Sequence, residues 1–293
     1  MVIPLALGAL SSLLLSLVVL HLKGVRLIVR IKPELMDVQA SKAGTPTVGG
    51  YALALGATLA SLVCGVQPVW LLGMWLFALV GLWDDLVKTR TWNGDGIRSV
   101  TKLCAQFGAA VVIVASLAIE KRIPTNGAYL AFAVFWIVYL VNAVNITDGM
   151  DGLAGLVVLF PLVLAVRLEG GTFLACFIGS LVGFLAFNLK PAKYFMGDMG
   201  SHALGAVLAV ASLTDGHETL FMVATLPLTV ELLSSAVQIL AIRLFSRKVF
   251  LIAPLHHDLQ KRGMGEWSVV VLGAVSSLVC TLAGAWLHVK GVV

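Results

Sequence analysis

Asn142 to Ala154 reads NAVNITDGMDGLA, and it lies between two apolar runs, Ala128 to Val141 and Leu153 to Val166. Both runs read as parts of membrane-crossing helices. Two asparagines, a threonine and two carboxylates therefore meet a membrane boundary. Ionisable groups at that depth are costly and usually mark a site. Asp148 and Asp151 are three residues apart, so on a helix they would share a face. Gly149, Gly152 and Gly155 leave little side chain to keep a ligand from the backbone.

Working outward, the whole chain has the same character. Of its 293 residues 59% are hydrophobic and 12% charged, whereas soluble domains carry about 25% charged residues. An all-α, polytopic membrane protein is expected, as a single domain over residues 1–293. A membrane β-barrel would show short alternating segments instead. With roughly 20 apolar residues needed per crossing, ten segments qualify: about 2–22, 48–66, 69–83, 103–119, 128–144, 153–168, 172–189, 201–214, 219–244 and 267–288. The third and eighth are short, and Pro227 should kink the ninth. Residues 2–22 lack a basic leader, and Lys23, Arg26 and Arg30 follow them, which is the flank of a spanning helix. Trp70, Trp83, Trp92, Tyr139 and Trp267 fall near span ends, where interfacial anchoring explains them. Cys64, Cys104, Cys176 and Cys280 show no metal or disulfide spacing and read as small core residues.

The charges fix an orientation. Sixteen of the 20 lysines and arginines fall in the loops after odd-numbered spans; only Lys121, Arg122, Arg167 and Lys290 fall on the other side. Positive residues favour the cytoplasm, so those loops are cytoplasmic and both termini external. The same loops carry every unusual polar motif: KAGTPTVGG (Lys42 to Gly50), DDLVK (Asp84 to Lys88), NAVNITDGMDGLA, NLKPAKYFMGDMGS (Asn188 to Ser201) and APLHHDLQ (Ala253 to Gln260). A one-sided site suits an enzyme at the inner leaflet. A secondary transporter would place polar groups near the midplane within inverted repeats, and only Glu231 stands there.

Each motif has a chemical and a structural reading. Asp84 and Asp85 suit a divalent cation or a general base, or a solvated helix end paired with Lys88. Asp198, between glycines at the start of a span, lies where phosphate is favoured, or it caps the helix. His256 and His257 can bind metal or phosphate, or lie on a surface loop. Lys42 and Thr47 flank a glycine-rich turn that can meet an anion. Glu231, with Gln238 seven residues on, reads as a hydrogen-bonded helix-packing residue. No P-loop or kinase-type glycine motif is present, which argues against ATP-driven phosphotransfer.

Taken together and in this order, the five motifs resemble those of the polyprenyl-phosphate N-acetylhexosamine-1-phosphate transferase superfamily, over nearly the whole chain. Within it the GTPT segment and APLHH followed by Trp267 resemble the phospho-N-acetylmuramoyl-pentapeptide transferase family. The resemblance implies ten spans in a bacterial cytoplasmic membrane, an active site on the cytoplasmic face, a Mg²⁺ requirement, and a homodimer, with no nucleic-acid partner. It implies transfer of phospho-MurNAc-pentapeptide from UDP-MurNAc-pentapeptide to undecaprenyl phosphate, giving lipid I and UMP. By motif position Asp198 would be the Mg²⁺ ligand. Asp84 and Asp85 would lie beside metal and lipid phosphate, with Asp84 as base. Lys42, Gly149, Met150, Asp151 and Phe195 would form the uridine pocket, Phe195 stacking on the base. Thr47, Asn145 and Asp148 would line the sugar-phosphate region. Asn142, Lys88, Asn188, His256 and the catalytic His257 would complete the polar centre, and Lys102 is a weaker match. One departure stands out: the family's third consecutive histidine is Asp258 here. The competing readings are a GlcNAc-1-phosphate transferase for surface polymers, a transporter, and an inactive scaffold, against which the intact aspartates argue.

Overall fold

The structure, a computed structural model, describes residues 1–21, 28, 42–66, 68–91 and 94–292. Trp92 and the basic positions Lys23, Arg26, Arg30 and Lys32 lie outside them. Among the described residues the chain is all helical and forms a polytopic membrane protein. The helices are α1 (Val2–His21), α2 (Gly49–Val63), α3 (Pro68–Arg90), α4 (Ser99–Ile119), α5 (Gly127–Thr147), α6 (Leu153–Glu169), α7 (Thr172–Asn188), α8 (Gly197–Leu213), α9 (Glu218–Ala224), α10 (Leu226–Phe245), α11 (Leu255–Lys261) and α12 (Glu266–Val289). Six of them, α1, α3, α4, α5, α10 and α12, are long and apolar enough to cross a bilayer by length and composition.

The arrangement is organised around α8, buried along its length from Asp198 to Leu213. Helices α2, α3, α5 and α6 pack around it. Gly81 of α3 touches the Asp198 backbone, where any Cβ would collide with the Asp198 carbonyl. Gly50 of α2 meets Gly200 of α8 in the same way. Small residues let membrane helices approach this closely, and packing then replaces the hydrophobic drive that lipid does not supply. On the other side α1 lies against α7 and α2 through Gly8, Gly56, Gly179 and Gly183. Ser16 ties α1 to the fully buried Tyr194 hydroxyl at 2.6 Å.

Three expectations are corrected. The third span does not end at residue 83: α3 runs on to Arg90, so Asp84, Asp85 and Lys88 are helical. Lys88 then pairs with Asp84 at 2.8 Å across one turn. The eighth starts at Gly197 rather than 201, which puts Asp198 inside its first turn. The ninth is broken rather than kinked. Helix α9 stops at Ala224, Thr225 leaves helical geometry, and α10 restarts with Pro227 in its first turn, where the missing proline N–H costs nothing.

The aromatic positions also divide. Trp267 is exposed at the start of α12, as an anchor would be, whereas Trp83 is exposed but lies within α3, seven residues before its end. Trp70 is instead buried and stacked on Phe173 at 5.4 Å, and Tyr139 bonds Thr229. All four cysteines are free; Cys176 is buried, whereas Cys104 is exposed rather than in the core.

Candidate active site

Four connections converge at one end of α8, and hydrogen bonding explains how each is held there. The KAGTPTVGG loop zips onto the segment before α8: Phe195 N–H donates to the Pro46 carbonyl at 2.9 Å, Gly49 N–H to the Phe195 carbonyl at 2.8 Å, and Thr47 pairs with Phe195. Asn188 accepts from Gly152 N–H at 3.1 Å and donates to the Tyr194 carbonyl at 3.0 Å. It thereby joins the loop after α5 to the loop after α7. That α5–α6 connection is a turn, with Gly152 at φ +77°, so Asp148 and Asp151 do not share a helical face as expected. Glycine stands at the entry to α6 there because it adopts that φ without strain.

The site has two adjoining hollows. The first, of about 230 Å³, is lined by Lys42, Thr47, Asp85, Lys88, Asp148, Gly149, Met150, Asp151, Asn188, Phe195, Asp198 and His257, with Met196 and Gly197. The second, of about 390 Å³, is lined by Asp84, Lys88, Gly96, Lys102 and Asn142 among others. Lys88 faces both. Asn145 and His256 line neither. Asn145 donates to Ser201 Oγ at 2.9 Å and faces Lys102 at 3.4 Å. His256 is fully buried behind His257, the ring centroids 4.2 Å apart.

Where the hollows meet, two carboxylates alternate with two ammoniums. Lys88 bridges Asp84 and Asp198, each at 2.8 Å. Lys102 bridges the same pair, 3.2 Å from Asp84 and in closer contact with Asp198. The other Asp84 oxygen accepts Ile97 N–H at 2.7 Å. The wrapping loop fits only because residue 96 is glycine: a Cβ there would strike that carboxylate. Asp85 faces the opposite way. Its oxygens accept the N–H groups of Asp198 at 3.0 Å and Met199 at 2.9 Å. A side chain from α3 thus caps α8, which otherwise lacks a side-chain cap.

At the far wall Lys42 is gripped by Asp151 at 2.6 Å and by Glu266. Glu266 also holds Lys190 at 3.0 Å, and Asp151 accepts Ala192 N–H at 3.0 Å. Between these clusters lies Asp148, whose carboxyl is pushed up to about 8, by burial first and then by the charges of Asp198 and Asp85.

The histidines lie on a short helix, α11, and not on a surface loop. Consecutive helical residues diverge, so His257 reaches the first hollow while His256 turns to Glu231 of α10. Asp258 lines neither hollow. Its carboxylate accepts Leu251 N–H at 2.7 Å and Arg262 Nε at 2.5 Å. Burial pushes this group up, but the hydrogen bonds from Arg262 and Leu251 hold it below the usual carboxylate range. The acidic replacement is therefore directed away from the cavity, into the loop before α11.

Several members of this constellation escaped the sequence reading. Glu266 belongs to no motif, and its partners Lys190, the Asp151 amide and Lys42 lie 76, 115 and 224 positions away. The contact between Glu231 and His256 crosses 25 residues and a loop. The pairing of Gln106 with Asn142 (2.8 Å) and His202 (3.0 Å) had no sequence signal beyond polar residues in apolar helices.

A divalent cation can be tested against this donor set. Among the described residues no three Asp, Glu, His or Cys side chains are grouped as a metal cage. Mg²⁺, however, typically takes one or two carboxylates and completes its shell with water and substrate phosphate. Asp198 fits that mode: it faces the first hollow, and both its oxygens are held by lysine ammoniums, which phosphate oxygens could draw away.

Residues 67–215 match the model of glycosyl transferase family 4. Curated relatives match over most of the chain. A phospho-N-acetylmuramoyl-pentapeptide-transferase of Thermotoga neapolitana is 35% identical over 275 residues, 90% of each protein. One of Staphylococcus haemolyticus is 33% identical, covering 95% of this chain and 96% of the relative. One of Lactiplantibacillus plantarum is 33% identical, covering 79% and 80%.

Proposed function

The chain belongs to the phospho-N-acetylmuramoyl-pentapeptide-transferase family, and from that premise we infer that it transfers phospho-MurNAc-pentapeptide from UDP-MurNAc-pentapeptide to undecaprenyl phosphate. Lipid I and UMP are the products, for peptidoglycan synthesis. The protein acts as one transferase domain in the bacterial cytoplasmic membrane, with both termini external and the site on the cytoplasmic face. The observation that carries this reading is the junction of two hollows at Asp84, Lys88, Lys102 and Asp198. One hollow serves a soluble donor and the other a lipid phosphate.

In this reading the uridine end of the donor lies along Lys42, Gly149, Met150, Asp151 and Phe195, with the Phe195 ring stacked on the base. Thr47, Asn145 and Asp148 face its sugar and phosphates. The lipid phosphate enters the second hollow, beside Asp84 and Asn142. Lys88 and Lys102 then exchange carboxylate partners for phosphate oxygens and align the two phosphates. Asp84 takes the remaining proton of the lipid phosphate. A lipid phosphate oxygen attacks the phosphorus that carries the sugar, the bond from that phosphorus to the UMP oxygen breaks, and UMP leaves. When bound through Asp198, Mg²⁺ supplies neutralisation of the diphosphate and of the departing charge. Asp85 and Asn188 hold the backbone that presents Asp198 and Gly152. His257 borders the donor's phosphates, and His256 lies behind it.

The test is UMP release by purified protein in lipid with undecaprenyl phosphate, Mg²⁺ and either UDP-MurNAc-pentapeptide or UDP-GlcNAc. Release with the muramoyl donor is expected. Release with UDP-GlcNAc alone would move the chain to the surface-polymer branch, and release with neither, from folded protein, would refute the transferase reading.

A further inference from the structure

Helix α11 begins after Pro254 with no side-chain cap of its own. Exposed amides at a helix start need acceptors, and here α10 provides them. Ser234 Oγ accepts Leu255 N–H at 3.0 Å, and the Glu231 carboxylate accepts His256 N–H at 3.3 Å. Residues 231 and 234 are three apart and so present one face of α10 to the helix start. The same Glu231 oxygen lies 3.0 Å from His256 Nδ1.

That second contact does more than cap. A carboxylate oxygen accepts, so Nδ1 carries the proton, and neutral imidazole then leaves its lone pair on Nε2. His256 Nε2 is buried and has no hydrogen-bond partner among the described residues. It points at Gly149, where a Cβ would collide with it and would also crowd His257 Nε2 at 3.0 Å. Gly149 and its neighbours Asp148 and Met150 line the first hollow. A buried acceptor without a donor is costly, and this one is aimed at the backbone turn on which the donor substrate would rest.

We propose that Glu231 is a positioning residue for the transfer reaction: it locks His256 in the Nδ1–H form, so that the imidazole stands fixed with Nε2 against Gly149 and holds the Asp148–Gly149 turn in place beneath the donor substrate. This assigns a function to the carboxylate of α10, and it rests on the transferase reading.

The experiment is a double-mutant cycle on turnover by the full-length protein in lipid, with Glu231→Gln, His256→Ala and the pair. Glu231→Gln keeps size and an acceptor for the helix amide but can also turn its amide donor toward Nδ1. It is expected to lower kcat about 10- to 100-fold, with donor KM within about threefold and unchanged thermal stability. The pair should be no worse than His256→Ala alone. Multiplying losses, or full activity in Glu231→Gln, would overturn the proposal. The ¹⁵N shifts of the His256 imidazole in the unmodified protein provide a readout that needs no turnover. A protonated Nδ1 with an acceptor Nε2 is expected, and the opposite tautomer would overturn the assignment even if the transferase reading stands. If the parent protein fails to release UMP while the Nδ1–H form is seen, the fault lies with the transferase reading and not with the pairing of Glu231 and His256.

Discussion

The two charged walls of the cavity are built to opposite recipes. At the α3–α8 junction two ammoniums, Lys88 and Lys102, are shared between Asp84 and Asp198. At the far wall one ammonium, Lys42, is shared between Asp151 and Glu266. The first wall offers exchangeable positive charge: phosphates can take over the lysines, and a cation can take over the freed carboxylate. The second is closed, with Glu266 also held by Lys190 and Asp151 also held by the Ala192 amide. In the proposed reaction this difference places the chemistry at the first wall and the grip on the donor at the second.

That contrast can be broken or sharpened by substitution. The largest effect belongs to the first wall. Lys102→Met should lower kcat by about 10² to 10³, the loss typical of removing one donor to a developing charge. A loss below tenfold in steady-state kinetics would make Lys102 a mere counter-ion. Next comes the grip. Glu266→Gln loosens Lys42 and should weaken donor binding by about 1.5–3 kcal/mol, the range for a hydrogen bond to a charged group. Calorimetric titration with UDP-donor would show this, and a fall in kcat at unchanged affinity would erase the distinction between the walls.

Asp148 stands between the walls and should report their summed charge. Its folded-state value of about 8 lies above the ordinary 3.8. Folded protein therefore binds more protons than unfolded protein between those values, and stability falls as pH rises through that window. In metal-free detergent solution the thermal midpoint of Asp148→Asn should gain on the parent from pH 5 to 8. A constant gap would remove the burial argument. The smallest effect is expected at Asp258, which faces neither wall. Asp258→His should leave the preference between muramoyl and GlcNAc donors unchanged within about threefold in competition assays; a switch would give that position a role in the cavity.

The sequence carried much of this because the membrane imposes a simple code. Apolar runs mark the helices, and lysine placement sorts the loops, so the gathering of the five motifs around one site could be read before any coordinates. Interruptions were harder. Residues 69–83 looked like a short span because Asp84, Asp85 and Lys88 end the apolar run, yet they stay helical by pairing with one another and by capping α8. The break at Thr225 had a local mark in Pro227, but that residue alone does not show whether the helix bends or stops and restarts. Asp148 and Asp151 were close in sequence, but a turn between α5 and α6, not a shared helical face, brings both to the first hollow. Glu266 is the clearest omission. A glutamate opening a span reads as a helix-end charge, and only the folded chain brings Lys42 and Lys190 to it.

The division between walls is tested most directly by measuring donor affinity and turnover side by side in Asp198→Asn and Phe195→Ala. Asp198→Asn should abolish turnover while leaving UDP-donor affinity within about threefold. Phe195→Ala should weaken donor affinity by about 1–3 kcal/mol, the worth of one base–aromatic stack, with kcat at saturation largely retained. If both variants lose the same quantity, or if Asp198→Asn turns over normally, the two walls do not divide chemistry from grip as described.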